Sequence, residues 1–229
     1  KLYEKAIENV NMLNPEFVVI TGDFVHDQNS EEQIKEFKRI TSQINNSIRV
    51  YYTPGNHDIG QIPTRKSIRK YKKNYGNDRF SLMHNNSLFI GINSGLIKAA
   101  LEKQEAKQYR WLIRQLEKGK GANHVIVFCH YPFFNKTVNE PEAYSNIGPE
   151  AREKYLTLFK EYGVDAVFAG HYHNNALNTF NGVELVTTSA VGKPLGEAPS
   201  GFRIIKVGKS KISHAYYGLE EIPESLKVN

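Results

Sequence analysis

The sequence of 229 residues contains one cysteine, Cys129. A single cysteine cannot form an internal disulfide, so the fold does not depend on oxidation, and the cytoplasm is slightly favoured as the location. No run approaches the roughly 18 apolar residues of a membrane-spanning helix, so no membrane segment is expected in the chain as given. The first residue is Lys rather than Met, so a leader or anchor upstream of Lys1 is left open.

Internal repeats and low-complexity linkers are also missing, and no shift in composition suggests a second domain. The 40% of apolar residues can form one sizeable core, so we expect a single domain over residues 1–229. Helical and strand patterns alternate up to about residue 176, and the remainder is β-rich. This order predicts an α/β sandwich in which helices cover the sheets.

Acidic residues are in the minority, with 24 Asp and Glu against 30 Lys and Arg, for a net charge of +6. Much of the excess lies in residues 65–73. This basic stretch is interpreted either as the solvated face of a helix or as a docking surface for an acidic or phosphorylated substrate. No DNA- or RNA-binding module surrounds it, so nucleic acid is not an expected partner.

Four short apolar runs that predict buried strands are each followed directly by a side chain that can bind a metal ion. Since the carboxyl ends of strands in α/β sheets are where ligands bind, these side chains are expected to meet. Each motif is a weak signal alone, but four in succession predict a metal site. The motifs are Gly22-Asp23 after 17–20, Gly55-Asn56-His57-Asp58 after 48–52, Cys129-His130 after 125–128, and Gly170-His171-Tyr172-His173 after 166–169.

These motifs, in this order and spacing across residues 16–173, resemble the signature of the calcineurin-like metallophosphoesterases. Residues 53–64, 170–176 and 188–196 also resemble the subgroup of calcineurin-like phosphoesterase-domain-containing protein phosphatases. The resemblance implies a four-layer α/β/β/α sandwich with two mixed sheets. It further implies hydrolysis of phosphomonoesters, with a small molecule or a phosphoserine or phosphothreonine protein as substrate, by a hydroxide that bridges two metal ions.

The resemblance also implies the metal ligands. Asp23 would bridge the two divalent ions. Asn56, His130 and His171 would complete one site, and His173 would belong to the other. Mixed oxygen and imidazole ligands suit Mn, Fe or Zn and do not select one of them.

Two further residues match the catalytic positions of that family. His57 corresponds to the general acid that protonates the leaving oxygen, and Asp58 is expected to hold the His57 ring and keep it protonated. Lys193, in the loop of residues 192–201, is a candidate contact for the substrate phosphate. His26 stands where the family commonly has Asp or Asn, and is interpreted either as a neighbour of the metal ligands or as a solvent-facing side chain.

One part of the family pattern is absent. The family opens with a strand that ends in Asp-x-His or Asp-x-Gln, and no such pair precedes Asp23. We therefore expect the domain to be N-terminally incomplete, with its first strand and two metal ligands upstream of Lys1. Within the given chain one metal site would keep four ligands, and the other only Asp23 and His173.

Two alternative functions stay open at this point. The same metal centre can serve a phosphodiesterase or nucleotidase, which activity on a diester would reveal. A scaffold protein with a degraded metal site is the other alternative, and the basic stretch at 65–73 would then be its partner surface.

Overall fold

The computed structural model describes residues 1–225, in which helices and strands alternate as the sequence predicts. The helices are α1 (Leu2–Leu13), α2 (Glu31–Thr41), α3 (Asn56–Ile59), α4 (Arg65–Tyr75), α5 (Ser94–Lys98), α6 (Glu102–Lys118) and α7 (Pro149–Glu161). The strands are β1 (Phe17–Ile20), β2 (Arg49–Tyr52), β3 (Phe80–His84), β4 (Ser87–Gly91), β5 (His124–Phe128), β6 (Ala166–Ala169), β7 (Ala176–Phe180), β8 (Val183–Thr187), β9 (Gly201–Val207) and β10 (Ile212–Gly218).

Local sequence signals set several helix boundaries. Asn14 ends α1 in the left-handed conformation, with φ 46°. The hydroxyl of Ser30 accepts a hydrogen bond from Gln33 N at 3.3 Å, so the predicted cap of α2 is confirmed. Pro149 begins α7, where its missing N–H and fixed φ cost nothing.

The larger sheet has six strands in the order β3-β4-β5-β6-β8-β7. β4, β5, β6 and β8 run parallel, and β3 and β7 pair antiparallel at the two edges. The central strands are buried on both faces, which explains their continuous apolar sequence. Since β5 and β6 are parallel neighbours, the loops that follow them leave the sheet at the same edge.

The second β layer consists of two ribbons. β1 pairs parallel with β2, and β9 pairs antiparallel with β10. In the described residues no strand ladder joins the two ribbons, so the predicted second sheet is formed in two pieces. Both ribbons pack on one face of the six-stranded sheet, where Phe17 and Ile205 contact the cluster that contains Phe128 and Phe168.

Helices cover the outer side of each β layer. α5, α6 and α7 pack on the six-stranded sheet through residues such as Leu112 and Phe159, both fully buried. α1 and α2 pack on β1 and β2 through Ile7 and Ile40. The four-layer α/β/β/α arrangement predicted from the sequence is therefore confirmed. Within residues 1–225 no helix combines the length and the apolar character required to cross a membrane.

Candidate metal centre

The loops that follow β1, β2, β5 and β6 meet at one edge of the two β layers. Gly22, with φ 98°, and Gly55 lie where the first two loops touch. A Cβ atom on Gly22 would collide with the backbone of Gly55 and with the His130 ring, and a Cβ on Gly55 would collide with the Asp23 carboxylate. Glycine is thus required at both positions for the loops to approach this closely.

Four predicted ligands converge in this edge around the Nε2 atom of His130. That atom lies 3.0 Å from Asn56 Oδ1, 3.0 Å from His171 Nδ1 and 3.3 Å from Asp23 Oδ2. The donor atoms of Asp23, His130 and His171 all lie within 4.8 Å of one another. Asn56, His130 and His171 are buried, at 3%, 1% and 9% exposure. The structure therefore brings two oxygen and two nitrogen donors to one point.

Backbone carbonyl groups determine which nitrogen of each ring is free to bind a cation. His130 Nδ1 donates to Thr21 O at 2.7 Å, and His171 Nε2 donates to Tyr144 O at 3.1 Å. Because a carbonyl only accepts, the ring nitrogen that faces it carries a proton in each histidine, and His130 Nε2 and His171 Nδ1 face each other across the site. At 3.0 Å the two nitrogens need a shared cation, either a proton on His130 Nε2 or a metal ion in its place. The donor set therefore fits a divalent metal ion.

The charges of the cluster are coupled. Burial opposes ionisation of Asp23, but the charge and hydrogen bond of His130 outweigh it and lower the pKa of Asp23 to about 2. Burial likewise opposes protonation of His130, yet the charge of Asp23 raises the His130 pKa above its usual value. Burial, followed by the charge of His130, lowers the pKa of His171 to about 3. The site thus combines an anionic carboxylate, a neutral His171 and a His130 whose Nε2 proton a bound metal ion would displace.

His173 is held apart from this group. It is absent from the cluster of donor atoms within 4.8 Å of one another, and its Nδ1 donates to Lys193 O at 2.7 Å. The free nitrogen of its neutral ring is therefore Nε2. The structure thus brings together four of the five predicted ligands. The fifth, His173, is held instead by the carbonyl of Lys193.

Backbone strain coincides with the predicted ligands. Asp23, His171 and His173 have φ values of 57°, 61° and 52°, in the left-handed region that non-glycine residues rarely adopt. Such conformations persist where the surrounding structure enforces them, and they concentrate at functional sites. The strain agrees with a functional role for these three residues.

His57 lies beside Asp23 but presents its ring elsewhere. Its backbone N–H donates to Asp23 Oδ1 at 3.0 Å, and its Nδ1 donates to His26 O at 2.7 Å. The His26 and His57 rings stack with centroids 5.1 Å apart. The exposed His26 is therefore a direct neighbour of His57, and its carbonyl is the group that orients the His57 ring.

The expectation for Asp58 is corrected by the structure. Its carboxylate does not contact the His57 ring; it accepts from the backbone N–H groups of Asp23, Phe24 and Gly55 at 2.7, 2.9 and 2.8 Å. The left-handed turn at Asp23 aims successive N–H groups at this carboxylate, which is 4% exposed. Burial and then the charge of Asp23 raise its pKa to about 7, while the hydrogen bonds oppose the rise. Asp58 thus ties the β1 loop to the β2 loop.

Tyr144 is part of the site although no sequence pattern indicated it. Its hydroxyl accepts from Asn56 Nδ2 at 3.3 Å and from Gln61 Nε2 at 3.2 Å, and its carbonyl accepts from His171. Its ring centroid lies 4.8 Å from that of His171, and the residue is 61% exposed. It lies in a loop without periodic pattern, so nothing local could have indicated its role.

Comparison with known proteins agrees with this geometry. The family model of the calcineurin-like phosphoesterases matches residues 1–175. The chain belongs to the calcineurin-like phosphoesterase family. Within that family it is 35% identical over 234 residues to the serine/threonine-protein phosphatase CPPED1 of Bos taurus, an alignment that covers 98% of this chain and 75% of the bovine protein. The protein is thus a metal-dependent phosphoesterase, a hydrolase of phosphoric ester bonds.

Solved structures show the same fold at low sequence identity. GAP50, described as the anchor in the inner membrane complex of Plasmodium, has a TM-score of 0.73 at 15% identity, over 97% of this chain and 82% of that one. A dimetal phosphatase from Danio rerio has a TM-score of 0.64 at 14% identity, over 95% and 88%. These likenesses concern the architecture alone.

Lys193 contacts the phosphoesterase site through its backbone carbonyl. Its carbonyl holds His173, whereas its side chain is exposed and makes no ion pair with the residues described, 1–225. The contact seen in the structure is therefore the one that orients His173, a predicted ligand.

Proposed function

We propose that this phosphoesterase removes phosphate from phosphoserine or phosphothreonine in proteins. We further propose that it uses two divalent ions, Mn, Fe or Zn, with Asp23, Asn56, His130 and His171 at one ion and Asp23 and His173 at the other. The observation that carries the proposal is the convergence of the first four donors around His130 Nε2. The substrate class is supported by the printed name of the bovine relative.

A divalent ion held by these donors would neutralise phosphoryl oxygens and lower the pKa of a coordinated water towards about 7. The chain supplies the rest of the chemistry. Asp23 provides the negative charge at the centre of the site, and its carboxylate is kept in place by the N–H of His57. Asn56 contributes an uncharged amide oxygen, and the hydrogen bond from its Nδ2 to the Tyr144 hydroxyl leaves Oδ1 facing the cluster.

His57 is the proposed general acid. Its Nδ1 proton is committed to the His26 carbonyl, so Nε2 is the atom that would donate a proton to the leaving oxygen when the ring is charged. Since the ring is oriented by a neutral carbonyl rather than a carboxylate, it does not depend on a second ionisable group. Asp58 acts as a positioning residue that holds the Asp23 turn.

Two exposed groups are proposed to contact the phosphoryl group. The Tyr144 hydroxyl already accepts two hydrogen bonds, and within residues 1–225 its own proton has no acceptor. The Lys193 ammonium carries no ion pair in the same described residues. A phosphoryl oxygen could accept from both. Cys129 takes no part, because it is fully buried and burial raises the pKa of its thiol to about 12.

The proposal is tested by measuring metal content and substrate preference together. Metal per chain is determined by elemental analysis, and hydrolysis of a phosphoserine peptide, p-nitrophenyl phosphate and bis-p-nitrophenyl phosphate is followed with added Mn²⁺. Bound metal with turnover of the peptide and the monoester is expected. Preference for the diester would favour a phosphodiesterase, and metal binding without any turnover would favour a scaffold.

A further inference from the structure

A groove lined mainly by cationic side chains lies between the start of α4 and the first half of α6. It encloses about 370 Å³. Arg65 forms one wall, and Lys103, Lys107 and Arg110 line the other, with Glu102 as its one acidic residue. The groove therefore carries four cationic side chains against one carboxylate. It differs from the stretch 65–73 considered above, of which only Arg65 belongs to it.

The cations of the groove are unpaired, whereas two cations further along α4 are paired. Lys70 and Lys72 of α4 lie 3.5 Å from Glu31 and 2.8 Å from Asp78. Among residues 1–225, by contrast, no carboxylate is within ion-pair distance of Arg65, Lys103, Lys107 or Arg110. The pairing of Lys70 and Lys72 reduces the charge that the stretch 65–73 offers a ligand, whereas within the described residues the groove keeps all four of its cations unpaired.

The spacing on α6 is unfavourable for the helix itself. Lys103, Lys107 and Arg110 are at positions i, i+4 and i+7, so they share one face and repel one another. Two carboxylates of α6 are, by contrast, paired with cations: Glu105 contacts Lys154 at 2.9 Å, and Glu117 contacts Lys120 at 2.6 Å. An anionic ligand in the groove would remove the repulsion, and this is the chemistry that the groove favours.

Both walls of the groove are connected to the mouth of the active site. Arg65 is four residues beyond Gln61, which hydrogen-bonds Tyr144 and Tyr131. Glu102 is four residues beyond Lys98, whose Nζ donates to Ala143 O at 2.6 Å and Glu142 Oε1 at 2.7 Å. Since four residues span at most about 14 Å, both walls of the groove begin within that distance of residues that contact the loop of Tyr144.

We propose that this groove binds an acidic segment of the phosphoprotein substrate, with Asp or Glu about four to six residues from the phosphorylated residue. The distance follows because an extended peptide covers the same 14 Å in about four residues. The proposal rests on the proposed protein phosphatase function. The partner is an acidic peptide because carboxylates pair with Arg and Lys, and the groove would otherwise keep four charges uncompensated.

The binding test uses two fluorescein-labelled peptides that contain an unphosphorylated serine. One has three Glu residues starting four positions from the serine, and the other has Gln at the same places. Fluorescence anisotropy at 0.15 M salt should show about tenfold tighter binding of the Glu peptide to the wild-type protein, as two or three partly exposed ion pairs would give. Equal affinity for both peptides would overturn the proposal.

Two triple variants that lose the same number of positive charges distinguish binding in the groove from an effect of the protein's net charge. Lys103→Gln/Lys107→Gln/Arg110→Gln should lose the preference for the Glu peptide. Lys35→Gln/Lys209→Gln/Lys211→Gln, at exposed lysines outside the groove, should keep it. If both variants lost the preference for the Glu peptide equally, the peptide would be responding to the net charge of the protein, and the proposed groove would be refuted. Melting temperatures check that both variants fold.

Hydrolysis of the phosphoserine forms of the two peptides separates this proposal from the proposed function. Binding preference without dephosphorylation would overturn the phosphatase function and leave the groove as a docking site. Dephosphorylation of both peptides at equal kcat/KM, with equal binding, would support the phosphatase function and reject the groove.

Discussion

The interior of the candidate site and its rim are built in different ways. In the interior, Asp23, Asn56, His130 and His171 each follow the end of a strand, and backbone carbonyl groups orient the rings of the two histidines. At the rim, Tyr144 and Lys193 belong to long loops and are exposed. Metal ligation requires rigid geometry at short range, whereas substrate choice uses groups that solvent can reach. Substitutions in the interior should therefore affect chemistry for every substrate, and those at the rim should affect some substrates more than others.

Asp23→Asn should have the largest effect. The variant keeps the shape of the side chain but removes the negative charge at the centre of the cluster, so metal content should fall and hydrolysis of every substrate should drop to background. Elemental analysis and p-nitrophenyl phosphate turnover measure both. Asp165→Asn is the matched control, because Asp165 supports Val125 N at the opposite end of β6. Normal turnover of Asp23→Asn would remove this residue from the mechanism.

His57→Ala should lower turnover by roughly 10² to 10⁴ and leave metal content unchanged, because the ring contacts no metal donor. The loss should be heavy for alkyl phosphates and small for p-nitrophenyl phosphate, whose leaving group needs no proton. His26→Ala is the control: it removes the stacked ring but keeps the carbonyl that orients His57. Equal losses for good and poor leaving groups would contradict proton donation by His57.

Asp58→Ala should lower the stability of the protein more than it changes the chemical step. It leaves the N–H groups of Asp23, Phe24 and Gly55 without their acceptor in a buried place, at a cost of about 3 kcal/mol. For a chain of this size that corresponds to a fall in melting temperature of about 10 °C. Asp27→Ala, which removes an exposed carboxylate bonded to a single N–H, should change the melting temperature little. Similar melting temperatures for the two variants would show that Asp58 does not join the loops.

Tyr144→Phe should have the smallest effect and should separate the rim from the interior. Removing the hydroxyl deprives the Asn56 amide of its acceptor, so Mn²⁺ affinity should weaken about fivefold, as one hydrogen bond would predict. KM for phosphoserine peptides should rise more than kcat falls. Tyr162→Phe removes a hydroxyl bonded to Glu117 far along α6 and should change neither quantity. A large fall in kcat with unchanged KM would place Tyr144 with the interior ligands.

The comparison also shows which parts of the site could be predicted from the sequence. Asp23, Asn56, His130 and His171 were identifiable because each follows the end of a predicted strand, and because their order and spacing resemble the family signature. The group that orients the His57 ring was not identifiable from the sequence. It is the carbonyl of His26, which the turn after β1 brings next to His57, and not the adjacent Asp58. Tyr144 had no local signal, because its loop contains neither a helical nor a strand period.

The amino-acid sequence by itself determined the strands, the caps and the order of the ligand motifs, because these depend on periodicity and on the residues next to them. It also determined the family. Only the tertiary structure decided that the second β layer is formed by two ribbons, that Asp58 accepts backbone N–H groups, and that the Tyr144 hydroxyl holds Asn56. The physical reason is distance: the Asp58–Phe24 and Tyr144–Asn56 contacts join residues that are 34 and 88 positions apart, and only the packed layers bring them together.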